Sequence, residues 1–320
     1  MDQIVHYGRE GAAGFVREFA ATGQVALVTG NSAYRQSGAE DLFGSAMPNA
    51  TVQRLTVKTP NPRVDEVQGL LDELEGRPPS AFVAVGGGTV IDTAKILNLA
   101  VSVGKDVKSI LRLDLQPQRT LPCLAAPTTA GTGAEATRFA VCYEGEMKHS
   151  VDSLKIRPSH VLLLPGLTAS LPPYQKASTN FDAYAQAVES LWAKGATDES
   201  NAYARRALDY MAAGDWTRGA YWAGRAIDIS RTTAAHAFSY YLTGHYGIPH
   251  GHAVYMVFEF ICRNNGRPEC IKTVPELKTL RTFADEKGVE WSRLVEELFA
   301  HVNLERLGNN PVEVKKESFL

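Results

Sequence analysis

Short apolar β-rich runs that alternate with helix-like segments limit what this chain can fold into. "QVALVTG" (24–30), "VQRLTV" (52–57), "AFVAVGG" (81–87) and "LPCLAAPTT" (121–129) are the runs. Between two of them, "NPRVDEVQGLLDELEG" puts Val64, Val67, Leu70, Leu71 and Leu74 on one helical face. Strands that are apolar without alternation are buried on both sides, as in a parallel sheet covered by helices. "RFAVCYEG" and "SHVLLLP" predict a hairpin-like extension and a last strand. From about Thr168 the strand pattern stops, and helical stretches follow at 176–193, 199–212, 218–246, 252–263 and 291–302. In the last, Trp291, Leu294, Val295, Leu298, Phe299 and Val302 share a face. The expectation is an α/β Rossmann-like dinucleotide-binding domain over 1–166 and an all-α domain over 167–320. Prolines punctuate the boundary at "LPGLTASLPP" (164–173).

A chain of 320 residues with 44% apolar and 21% charged residues fits two globular domains. Its net charge of −2 gives no polyanion-binding signature, so nucleic acid is not an expected partner. No run approaches the roughly 20 apolar residues of a membrane span. "MDQIVHYGRE" lacks the pattern of a secretory signal, and Cys123, Cys142, Cys262 and Cys270 form no C-x-x-C pair. Buried free thiols in a reducing compartment are expected, which predicts a cytoplasmic location.

Two loops carry nucleotide chemistry. "VAVGGGTVIDTAK" (83–95) is a buried strand, then Gly86, Gly87 and Gly88, then a helix. Residues without Cβ let backbone approach a phosphate, and the helix N-terminus behind them favours negative charge. A tight turn without ligand is the other reading, and the G-x-G-x-x-G fingerprint is absent. "APTTAGTGAE" (126–135) offers hydroxyls from Thr128, Thr129 and Thr132 beside Gly131 and Gly133. Two such loops at the carboxyl ends of neighbouring parallel strands would flank one crevice.

The second half carries candidate metal ligands. "NFDAYAQAVESLW" (180–192) sets Asp182 and Gln186 four apart, on one helical face. "AHAFSYYLTGHYGIPHGHAVYMVF" (235–258) holds His236, His245, His250 and His252, four of the chain's eight histidines. An aspartate near a helix start also reads as a cap, and histidines in an apolar segment also read as packing residues.

These stretches together resemble a known family. The order GGG-x-x-x-D-x-x-K at Gly86–Lys95, PTT-x-GTG-x-E at Pro127–Glu135, D-A-x-x-x-x-x-E at Asp182–Glu189, then His236 with Pro-His-Gly fourteen residues later, is similar to the iron-containing (group III) alcohol dehydrogenases. These share a fold with glycerol dehydrogenase and dehydroquinate synthase. Within the family, "LVTGNSAYRQSGAEDLF", "DAYAQAVESLWAKGATDES" and "RTTAAHAFSYYLTGHYGIPHGHAV" resemble the phosphonoacetaldehyde reductases of phosphonate biosynthesis.

The resemblance implies a metal-dependent, NAD(P)H-linked aldehyde reductase. A metal would polarise the aldehyde oxygen while the nicotinamide delivers hydride. It carries Asp182, His236 and His250 over as ligands of Fe(II) or Zn(II). Gln186 stands where much of the family has a fourth ligand, a histidine. It ligates weakly, holds a water, or leaves a three-ligand site. His250 and His252 are the catalytic candidates, His252 as a proton relay or in a supporting place. Thr89, Asp92 and Lys95 would line the cofactor phosphates, with an ordinary Asp92–Lys95 helix pair as the other reading. Lys148 and Arg138 are candidate clamps for an anionic substrate group. Gly30 and Asn31 stand where the family often has an aspartate that repels a 2′-phosphate. NADPH is therefore expected to be accepted, with NADH as the second candidate. The family's helical segment is shortened around 210–222 and at the C-terminus, and Leu164 stands where relatives carry an aspartate. A homodimer is expected to cover the apolar surface so exposed. Two other functions stay open at this point: a dehydroquinate-synthase-type cyclase, and a non-catalytic nucleotide-binding remnant.

Overall fold

The computed structural model describes residues 2–112, 117–145 and 147–319. The chain divides into two compact units, Met1–Thr129 with Ala134–Ser170, and Ala130–Gly133 with Leu171–Leu320. The first is α/β and the second is helical.

The first unit is built on β1 (Ile4–Tyr7), β2 (Gly23–Gly30), β3 (Ala50–Val57), β4 (Ala81–Gly86), β5 (Cys123–Pro127) and β8 (His160–Leu163). They form one parallel sheet in the order β1-β8-β5-β4-β2-β3. Alternate residues enter opposite cores. Ala26, Val28, Leu55, Phe82, Ala84 and Ala125 pack under α1 (Val64–Asp72) and α2 (Gly88–Val103). Val25, Leu27, Val83, Val85, Leu124 and Leu162 pack on the other side with Val16, Tyr34 and Phe43. Two covered faces are why the central strands β4 and β5 are apolar and buried at every position. β1 was not expected: it has only four residues, and Ile4, Val5 and Tyr7 are exposed, so it lacks the buried signature.

The hairpin-like extension is a separate two-stranded antiparallel ribbon, β6 (Phe139–Glu144) with β7 (Met147–Asp152). The side chains of α2 hold it. Asp92 Oδ2 accepts from Val141 N–H at 3.0 Å, and the buried Lys95 ammonium donates to Phe139 O at 2.7 Å and Thr137 Oγ1 at 3.2 Å.

The second unit contains α3 (Pro173–Trp192), α4 (Asp198–Ala212), α5 (Trp216–Ser230), α6 (Ala234–Tyr246), α7 (His250–Asn264) and α8 (Trp291–Ala300), among others. Pro173 opens α3 at a position that needs no N–H, and a Thr197–Ser200 capping box opens α4. Residues 210–222 form the end of α4, the turn 213–215 and the start of α5, with Asp215 capping Arg218 N–H at 3.0 Å. The helix expected over 218–246 breaks in two after Ser230. Arg231 takes a positive φ of 65°, and Asn309 Nδ2 donates to the freed Ser230 and Thr232 carbonyls at 2.8 and 3.0 Å. That partner stands far along the chain, beyond any local pattern. Among the described residues no helix is long and apolar enough to cross a membrane.

Candidate metal centre and nucleotide turn

In the second unit, helix spacing and a close crossing converge three side chains. Asp182, Gln186 and Glu189 stand at i, i+4 and i+7 on α3, hence on one face. Gly251 lets α7 cross α3 closely: a Cβ there would lie 2.0 Å from Ser178 O and 3.0 Å from Asp182 Cβ. The Pro-His-Gly stretch therefore delivers His250, the first residue of α7, beside Asp182. The His250 ring stacks on Tyr240 at 5.9 Å and meets His236 edge-on at 5.4 Å. His236 Nε2 lies 3.1 Å and His250 Nε2 3.9 Å from the same oxygen, Asp182 Oδ1. One ligand atom each from Asp182, His236 and His250 all fall within 4.8 Å of one another.

Glu189 is fully buried and orients this cluster. Its Oε1 accepts from Thr233 Oγ1 at 2.6 Å and Ala235 N–H at 2.9 Å, capping α6, while its Oε2 accepts from His236 Nδ1–H. With Nδ1–H held by Glu189, Nε2 is the nitrogen left to face the cluster, where a cation would take the place of the proton it shares with Asp182, the usual device behind a metal-ligating histidine. Glu189 ends a motif in the sequence, but nothing local there shows this role. Its i+7 spacing from Asp182 was the available signal.

The electrostatics suit a cation. Burial alone would lower the His236 pKa, but the Glu189 and Asp182 carboxylates prevail and raise it to about 10. Burial alone would raise that of Asp182, but His250, His236 and the Gln186 amide hold it below the ordinary carboxylate value. Two imidazole nitrogens and a carboxylate oxygen are a donor set for Fe(II) or Zn(II), and the residues present fit such an ion.

Gln186 is buried in the same place. Its Nε2 donates to Asp182 Oδ1 at 3.2 Å and to Thr132 O at 3.3 Å. His252 is held at both nitrogens: Tyr174 O–H donates to Nδ1 at 2.8 Å, and Nε2–H donates to Lys278 O at 2.9 Å. Burial lowers its pKa, so it is neutral, and this placement favours the supporting reading over proton relay. His245 is exposed and stacks on Tyr241 at 5.1 Å.

In the first unit, β5, β4 and β2 end nearly flush, with Gly86 opposite Pro127 and Thr29 opposite Val85. The chain runs from β2 outward to β3, then returns to the other side of β2 for β4. The winding reverses between Gly30 and the Gly86–Gly88 turn, which is where such sheets bind ligands. Gly86 has no room for a side chain, since a Cβ would meet Val90 at 2.5 Å. Gly87 faces Thr129 closely, and Thr128 N–H donates to Gly86 O at 3.0 Å. Thr89 Oγ1 donates to Pro60 O at 2.6 Å, and Asn31 is exposed just beyond β2. Gly30, Gly86–Gly88, Thr89, Thr128 and Thr129 thus gather at one end of the sheet.

Other expected cofactor and substrate residues lie elsewhere. Asp92 and Lys95 tie α2 to the ribbon, which favours the structural reading of that pair. Burial raises the Asp92 carboxyl to about 6, although the Lys95 charge opposes it. Thr132 belongs to the helical unit. A Cβ on its neighbours Gly131 and Gly133 would meet Thr179 at 2.8 Å and Gly224 at 2.5 Å, so the small residues there serve close packing. Arg138 pairs with Asp152 at 3.1 Å, and Lys148 lies on β7 opposite Tyr143.

A glycine turn at the switch point of a parallel sheet, followed by a helical unit with an acid and two imidazoles, defines a dinucleotide-fold protein with a metal-binding helical partner. The chain belongs to the iron-containing alcohol dehydrogenase family: residues 3–165 match the family's own profile, and 176–310 match its C-terminal profile. It is similar to phosphonoacetaldehyde reductase of Streptomyces viridochromogenes, at 34% identity over 63% of this chain and 57% of that protein. It is also similar to 4-hydroxybutyrate dehydrogenase of Clostridium kluyveri, at 25% identity over 79% of this chain and 74% of that protein. The chain thus spans little more than half the length of the reductase. Sulfoacetaldehyde reductase from Bifidobacterium kashiwanohense, solved with NAD+, shares the fold: TM-score 0.81 and 24% identity, over 99% of this chain and 95% of that one. The iron-containing alcohol dehydrogenase of Thermotoga maritima gives TM-score 0.81 at 25% identity, over 100% and 96%.

Proposed function

We propose that this chain is a divalent-metal-dependent, nicotinamide-linked alcohol dehydrogenase that reduces small aldehydes, with phosphonoacetaldehyde as the favoured substrate. The convergence of one ligand atom each from Asp182, His236 and His250 within 4.8 Å, with both Nε2 atoms within 3.9 Å of Asp182 Oδ1, carries the reading. Family membership and the 34% likeness to a phosphonoacetaldehyde reductase support it. So does the shared fold with a sulfoacetaldehyde reductase.

A divalent cation held there would supply Lewis-acid polarisation of an aldehyde oxygen, and a nicotinamide dinucleotide on the glycine turn would supply the hydride. The protein's own groups prepare both. Glu189 fixes the His236 tautomer, so its Nε2 needs no reorientation. Burial of Asp182 and His236 keeps bulk water from competing with substrate. The side chain of His250 is 33% exposed and marks the side of the cluster open to solvent. At the other site, the Gly86–Gly88 turn lets a pyrophosphate approach the N-terminus of α2. No carboxylate occupies Gly30 or Asn31 to oppose a 2′-phosphate, which supports use of NADPH as well as NADH.

The test is NADPH and NADH oxidation with a panel of aldehydes, phosphonoacetaldehyde included, by protein stripped with a chelator and reloaded with Fe(II) or Zn(II). Turnover should return only with metal, and His250→Ala should lower it more than about 100-fold. Equal rates in the stripped protein or in the variant would refute the assignment.

A further inference from the structure

Gln186 is the one member of the expected ligand set whose side chain has an end that cannot bind a metal. An amide nitrogen has no lone pair to give; only the oxygen can ligate. The direction of the amide therefore matters, and its neighbours determine it. Nε2 lies 3.2 Å from Asp182 Oδ1 and 3.3 Å from Thr132 O, both acceptors. Reversing the amide would set Oε1 against two oxygens with no proton between them. The nitrogen end thus faces the very oxygen that also faces His236 and His250. Thr132 is in no position to yield, since Gly131 and Gly133 on either side are wedged against Thr179 and Gly224. Oε1 itself is buried without a donor among the described residues.

We propose that Gln186 is a positioning residue and not a fourth ligand. Its amide joins the Asp182 carboxylate to the Thr132 carbonyl, and a divalent cation at this site is held by three protein atoms, Asp182 Oδ1, His236 Nε2 and His250 Nε2. This rests on the metal reading above and adds to it. The remaining coordination positions fall to solvent or substrate, and the ion exchanges more readily than one held by four side chains.

The test uses Co(II) added to metal-free protein, followed by its visible absorption and by titration calorimetry, with circular dichroism confirming the fold. Gln186→Leu can neither ligate nor donate. It should leave the Co(II) band unchanged in position and intensity while weakening affinity about tenfold, because Asp182 is less well held. A band that shifts or changes intensity would show a lost ligand and overturn the proposal. Gln186→His should add a ligand, with a new band and tighter binding. A second readout needs no variant: in the Co(II)-loaded wild type the Gln186 side-chain amide should show no contact-shifted resonance by NMR, and a contact-shifted amide would overturn the proposal even if the leucine variant fails to fold. Wild-type protein that takes up no Co(II) would fail earlier, at the metal reading itself.

Discussion

Replacing Gly251 by alanine tests the link from helix packing to metal chemistry. The added Cβ would lie 2.0 Å from Ser178 O, 2.8 Å from Ser178 C and 3.0 Å from Asp182 Cβ. Two of the three obstacles are backbone of α3, so no flexible side chain can swing aside. To restore even a 3.0 Å separation from Ser178 O, α7 must retreat by at least about 1 Å, and overpacking of this kind costs about 1–3 kcal/mol. His250 begins the same helix one residue earlier and moves with it. Metal–ligand distances tolerate only about 0.2 Å, so the displacement is several times what a shared ion allows. Gly251→Ala should therefore bind Zn(II) at least about tenfold more weakly by calorimetry and unfold at lower denaturant. Gly244→Ala is the control: it sits in α6 with nothing within 4 Å of its Cβ, and should be neutral or slightly stabilising. Wild-type metal affinity in the Gly251 variant would refute the claim that this crossing places His250.

Further outcomes follow from buried charge. Glu189→Ala leaves Thr233 Oγ1, Ala235 N–H and His236 Nδ1 without their buried acceptor, so denaturant unfolding should show a loss of at least about 3 kcal/mol; less than about 1 kcal/mol would contradict its capping role. Burial raises the Glu135 carboxyl from 4.5 to about 7, against the opposing effects of its own backbone N–H and Lys95. A raised folded-state value means stability that is present below pH 4.5 and lost as pH climbs through 7, in total about 3 kcal/mol. Gln in place of Glu135 escapes that loss. The variant should gain about 2–3 kcal/mol on wild type between about pH 5 and pH 8 in urea unfolding. A gain that shrinks over this range would reverse the sign and refute the buried-acid assignment.

The sequence by itself was enough for the architecture, and its resemblance to a family was enough to name Asp182, Gln186, His236 and His250 as candidates. Unbroken apolar strands such as "AFVAV" require two covered faces, and one helical face must carry Asp182, Gln186 and Glu189 together, because both are consequences of local periodicity. The expected strands returned as β2 to β6 and β8, with β7 added as the partner that completes the hairpin, and the long helices as α3 to α8. Exceptions were β1, whose pattern is too short and exposed to read, and the break at Arg231, which depends on Asn309.

Only the tertiary structure decided what each polar group touches. His250 and His252 are two residues apart and look alike in sequence, yet one ring turns to Asp182 and the other is sandwiched between Tyr174 and Lys278. Lys95 carries a motif position but bonds to the ribbon, and the glycines of "AGTG" serve packing against α3 and α5. The physical reason is range. Periodicity selects the face of a helix or strand, but a hydrogen bond or a shared ion is decided within a few tenths of an ångström by groups from other elements. Those groups meet only when the helices have packed.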